Sequence, residues 1–165
     1  LFIAFAFRKV GKPVPSWKYG MVAVITLAHD VLVPTGVFAI LGRTGAVEID
    51  VLFVTAFLAI LGYSVNDTIV VFDRVREYQK KHTSMSFVDL CDRALMETIG
   101  RSLTNSFTIM FMLLALILMG GDTVRWFVVA LLVGTISGTY SSPFVATPVL
   151  ILWDHWEKRK RAQKT

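Results

Sequence analysis

Apolar residues in this chain fall into long blocks, and short stretches between the blocks hold most of the charges. The blocks cover residues 1–7, about 17–41, 49–72, 102–119 and 124–153. The last four each approach or exceed the roughly 20 residues, at about 1.5 Å rise each, that a helix needs to cross a hydrocarbon core. The pattern predicts an all-α, polytopic membrane bundle, a single transmembrane domain over 1–165. A transmembrane β-barrel is excluded, because the blocks do not alternate apolar and polar with period two. The first block opens in the middle of an apolar run, at Leu1, with neither a Met nor the basic start of a signal peptide. It is expected to be the stub of a truncated span.

The segment 73–100 is different. Phe87, Leu90, Cys91, Ala94, Leu95 and Ile99 recur there at helical spacing on one face. Ser86, with Asp89 three residues on, is a candidate cap. An amphipathic connecting helix is expected, lying along the membrane surface or against neighbouring spans. It serves either as a simple connector or as a docking helix for a partner.

Charge gives the threading. The 8–18 loop, the 73–100 segment and the tail 154–165 hold fourteen Lys and Arg residues, against Arg43 and Arg125 in the other two loops. The positive-inside rule puts the first set, and the C-terminus, in the cytoplasm. Trp17, Tyr19, Trp126, Trp153 and Trp156 fall near the expected interfaces, as an aromatic belt requires.

Composition agrees: 55% of residues are hydrophobic and mean hydropathy is +0.62. The net charge of +5 and pI near 9.6 would suit nucleic acid, but the basic residues flank apolar spans, where topology and anionic lipid explain them. Cys91 stands alone and no Cys/His cluster has metal-ligand spacing, so neither a disulfide framework, a metal nor a cofactor is expected. Gly138-Thr139-Tyr140-Ser141 lacks the Gly-x-Ser-x-Gly elbow of a serine hydrolase, and no enzyme is expected.

The candidate chemistry is in the charges that remain inside the spans. Asp67 lies seven residues past Ile60, the middle of its block, so about 10 Å toward the cytoplasmic side and still within the hydrocarbon. An Asp near a helix centre costs about 2.5–3.5 kcal/mol on insertion scales, so it must face the bundle interior. Tyr63, Ser64, Asp67 and Val71 share its stripe. Arg101 opens the next span in the same membrane half, so depth permits the two to pair. Such a pair is a proton device, a static ion pair, or no pair at all if Arg101 snorkels to lipid phosphates. His29 and Asp30 sit at the middle of the second block, where they share a proton, or His29 is neutral on a backbone carbonyl and Asp30 is held by a hydroxyl. Pro34 frees the Asp30 carbonyl four residues back and bends the helix. Small and polar residues, among them Asn105 and Ser106 in the fourth block and Gly134-Thr135-Ile136-Ser137-Gly138 in the fifth, allow close helix approach or line a water path.

The string Gly62–Glu77, GYSVNDTIVVFDRVRE, strongly resembles the hallmark of the SecF side of the SecD/SecF protein-export family. Leu27-Ala28-His29-Asp30-Val31, Gly100–Ser106 and Gly138–Phe144 resemble three further motifs of that family, in the same order. Ser102 stands where Thr is commoner, with a hydroxyl kept. The resemblance implies an RND-type helical half in the bacterial cytoplasmic membrane, in a separate SecF or the rear of a fused SecDF. It implies a subunit that uses the proton-motive force to assist translocation of unfolded polypeptide, with SecD, SecYEG and YajC as partners. By position, Asp67 and Arg101 match the family's proton-relay residues. Asp30 and His29 are further relay candidates, and Ser64, Asn66, Thr68, Asn105 and Ser106 are supporting polar positions. The family's first helix, most of its second and an extracytoplasmic domain would lie outside this chain. The competing readings are an RND-like exporter of small molecules or lipids, and a structural subunit whose charges only specify packing.

Overall fold

The computed structural model describes residues 16–45, 47, 50–82 and 84–163. The 1–7 stub, the basic residues at positions 8, 9 and 12, and Lys164 lie outside the described residues. All regular structure among the described residues is helical. Helix α1 spans Ser16–Arg43, α2 Val51–Lys81, α3 Phe87–Met119 and α4 Asp122–Ser141. A π-helical turn, Ser142–Ala146, joins α4 to α5, Thr147–Ala162. Four helical rods are long and apolar enough to cross a membrane, the fourth made of α4, the π-turn and α5 together.

Local signals set the ends. Asp50 caps α2 by accepting the Phe53 N–H at 3.0 Å. Ser86 caps α3 by accepting the Asp89 N–H at 3.2 Å, the pairing its spacing predicts. The π-turn follows from Pro143, which has no N–H to continue the α pattern. The widened turn closes with the Thr147 N–H on the Ser142 carbonyl, five residues back.

Two boundaries differ from the sequence reading. Helix α2 runs nine residues past Phe72, and the expected connecting helix is not a separate element. It forms the first turns of α3 and continues without a break into the fourth span. Its apolar face explains this: Phe87, Leu90, Cys91 and Ala94 are buried. All but Leu90 join a core with Tyr19, Val22, Phe72, Val75 and Leu150. Burying that stripe on neighbouring helices holds the segment upright, against the other spans rather than flat on a surface.

The bundle is layered along its axis. The core just described fills the Lys/Arg-rich end. A second core, Phe38, Val47, Phe53, Ala56 and Ala130, fills the other. Between them lie the buried polar residues Thr26, Asp30, Ser64, Thr68, Ser106, Thr135, Ser137, Ser141 and Ser142. Glycines let α4 press onto α2 at this level. A Cβ on Gly134 would stand 2.2 Å from Ile60 Cδ1, and one on Gly138 3.3 Å from Ser64 Cβ. Gly134→Ala is therefore expected to destabilise the full-length protein by about 1–3 kcal/mol through overpacking. A thermal-unfolding shift checks this.

Candidate functional site

Asp30 is the hub of the polar layer. Its position halfway along α1 puts it between the two cores, and it is 0% exposed. Helix α2 supplies one hydroxyl, Ser64 Oγ, which donates to Asp30 Oδ2. Helix α4 supplies two: Ser141 Oγ donates to Oδ2 at 2.7 Å and Ser137 Oγ to Oδ1 at 3.3 Å. The i, i+4 spacing of Ser137 and Ser141 puts both on one face of α4, and Gly138 between them brings that face close to Ser64. His29 adds a fourth contact, Nδ1 to Asp30 Oδ1 at 3.0 Å. Its other nitrogen meets the Tyr140 hydroxyl at 3.2 Å, with the rings edge to face. With Asp30 ionised and His29 neutral, the carboxylate can only accept. Nδ1 then carries the proton and Nε2 accepts from Tyr140. His29, at 30% side-chain exposure, connects the sealed carboxylate to the partly exposed Tyr140. The histidine is thus held by a side chain on each nitrogen rather than by a backbone carbonyl. Each hydrogen bond to a charged group contributes about 1.5–3 kcal/mol, so four donors offset the cost of placing this Asp in the bundle centre.

Asp67, one turn further along α2 than Ser64, is built differently. Ser102 Oγ donates to its Oδ1 at 2.5 Å. Its Oδ2 is buried and has no hydrogen-bond partner among the described residues. Arg101 makes no ion pair with it; the carboxylate's partner is the neighbouring hydroxyl on α3. What Asp67 and Arg101 share is a cleft of about 340 Å³ between α2 and α3, lined also by Asn66, Ser102 and Asn105. The pair that depth permitted is a shared cleft in this conformation. Arg101 is exposed, so its guanidinium avoids the desolvation cost that a buried pair must recover through ideal geometry.

Of the remaining candidates, Thr68 and Ser106 form two further contacts of the same layer. Thr68 Oγ1 meets Ser142 Oγ at 3.1 Å, linking α2 to the π-turn. Ser106 Oγ joins the Tyr63 hydroxyl at 2.6 Å and takes a hydrogen bond from Thr139 at 2.9 Å. Asn66 and Asn105 line the Asp67 cleft. The sequence reading placed Ser137 in a run for close helix approach or a water path, gave Tyr140 and Ser141 only as part of a motif, and took Ser102 as a variation on one. The hydroxyls of Ser137 and Ser141 prove to be partners of Asp30, that of Ser102 the partner of Asp67, and that of Tyr140 the partner of His29. The i, i+4 serine pair on one face of an apolar helix was the signal that could have found two of them.

Residues 14–156 match the family described as protein export membrane protein SecD/SecF, C-terminal. Protein translocase subunit SecF of Thermobaculum terrenum is 52% identical over 154 residues, which are 93% of this chain and 48% of that protein. Protein translocase subunit SecDF of Thermus thermophilus is 35% identical over 164 residues, 99% of this chain and 21% of that protein. The crystal structure of SecDF in its super-membrane-facing form superposes with a TM-score of 0.86 at 34% identity, over 99% of this chain and 21% of that one. The RND-type helical fold implied by the motifs is borne out by this likeness. The chain thus spans about half the length of its SecF relative and about a fifth of SecDF. With four membrane-crossing rods, a polar layer built around two acids, and relatives matched along nearly all of its length, the chain belongs to the SecD/SecF protein-export membrane protein family.

Proposed function

We propose that this chain is the membrane portion of a protein-export subunit that draws on the proton-motive force to assist translocation of unfolded polypeptide. Asp67 exchanges the proton in this reading. The observation that carries it is the buried Asp67 Oδ2, which has no donor among the described residues, in a cleft that also holds Arg101. A proton arriving there finds a vacant acceptor and displaces nothing. A proton arriving on Asp30 would have to displace one of the donors already on it. The two carboxylates therefore divide the work: Asp30 ties α1, α2 and α4 together, and Asp67 changes charge. Neutralising Asp67 ends its attraction for Arg101 across the cleft, which gives α2 and α3 two states of different charge. His29 and Tyr140 extend the polar chain from Asp30 to the outside of the bundle.

The partners in this reading are SecD, the SecYEG channel and YajC, and the location is the bacterial cytoplasmic membrane with the C-terminus in the cytoplasm. The names of the relatives, translocase subunits SecF and SecDF, support export of polypeptide over export of small molecules or lipids. The role needs no bond-making chemistry and hence no enzyme activity. The test uses inverted membrane vesicles with and without the full-length protein, importing a secretory polypeptide with and without a proton gradient. The protein should add an increment of import that vanishes when the gradient is collapsed. An increment that survives collapse of the gradient contradicts the proposal.

A further inference from the structure

A second set of charges lies on the same α2–α3 groove, nearer its Lys/Arg-rich end. A cleft of about 450 Å³ there is lined by Asp73, Arg74, Glu77, Glu97 and Arg101. It meets the Asp67 cleft at Val70, Thr98 and Arg101, which line both. Arg74 on α2 holds Glu97 on α3 with two nitrogens: Nε donates to Oε2 at 2.8 Å, and a terminal nitrogen reaches Oε1. The Tyr78 hydroxyl donates to Oε2 as well, at 2.8 Å. Both oxygens of Glu97 are therefore engaged, with three donors on the carboxylate. Arg74 also contacts Glu77.

The consequence concerns Arg101. It follows Glu97 by four residues on α3, in the order Glu then Arg, the favourable arrangement for an ion pair on one helix face. Glu97 is thus the natural local partner of Arg101, yet it is taken by Arg74 from the facing helix. Among the described residues Arg101 has neither an ion pair nor a hydrogen bond, and it stands in the cleft with Asp67. We infer that Arg74 is a positioning residue: by occupying Glu97, it keeps Arg101 unpaired and available to Asp67. This rests on the proposed role of Asp67 for its purpose, but the charge competition itself is independent of that role.

The inference predicts a reversal between single and double variants. In Arg74→Gln, Glu97 is released and captures Arg101. In Arg74→Gln with Glu97→Gln, the captor is gone and Arg101 is free again. Phenylglyoxal modification of Arg101, followed by peptide mass spectrometry on the purified full-length protein, reads this without any transport assay. The expected result is modification at least about twofold slower in Arg74→Gln, the scale of one helix-face ion pair, and wild-type rates in the double variant. Arg74→Lys, which lacks the fork but keeps a charge near Glu97, should fall between them and serves if Arg74→Gln does not accumulate. Unchanged Arg101 reactivity in Arg74→Gln, or equal slowing in the double variant, overturns the inference. A vesicle import assay on the same variants, with Arg101→Gln beside them, separates the two levels. Competition seen by modification with import untouched by Arg101→Gln would sink the proton role and leave the positioning intact.

Discussion

Asp67→Asn in the full-length protein is expected to reduce polypeptide export to the level seen without a proton gradient, while the protein stays folded. Asn is nearly the same shape, and its amide oxygen can still accept from Ser102, the one side-chain hydrogen-bond partner of Asp67 among the described residues. The stability change should stay within about 1 kcal/mol, the net worth of a single hydrogen bond. What the substitution removes is the buried oxygen that can take a proton and the charge that faces Arg101 across the cleft. Vesicle import at matched protein level checks it. Gradient-dependent import that persists in Asp67→Asn would return the residue to a packing role.

Asp30→Ala should act on the fold first. It leaves the buried Ser64, Ser137 and Ser141 without their shared acceptor and His29 without its carboxylate partner. Removing one member of a buried charged network costs about 3–5 kcal/mol, a large part of a membrane domain's margin. The expected result is poor accumulation, or a markedly lowered thermal midpoint in the purified protein. Asp30→Asn retains one acceptor oxygen but brings an amide donor into a cage of donors, so it should fall between Asp30→Ala and Asp67→Asn. Equal stability of Asp30→Ala and wild type would show that the three serines do not depend on the carboxylate.

The two acids were visible in the sequence because an Asp inside an apolar block has no inexpensive explanation. Their difference was not visible. Asp67 drew more attention, since a motif surrounded it and Arg101 lay at matching depth. The structure gives the denser site to Asp30, because its partners are hydroxyls four residues apart on a helix more than a hundred positions away. Pairings at that separation depend on how helices pack, which residue spacing along one helix does not encode. The small-residue run in the last block foretold close approach, and the contacts of Gly134 with Ile60 and of Gly138 with Ser64 realise it. The connecting helix shows the converse. Its apolar face and Ser86 cap were read correctly, but its fusion with the next span was not, because Gly100 at the junction costs a helix only about 1 kcal/mol and the helix runs through it.

The claim that Asp67, and not Asp30, is the proton-exchanging acid is tested most directly by infrared difference spectroscopy of the purified full-length protein across an acid titration. The predicted result is a protonated-carboxyl C=O band that disappears in Asp67→Asn and remains in Asp30→Asn. A band that survives in Asp67→Asn and vanishes in Asp30→Asn would contradict the assignment.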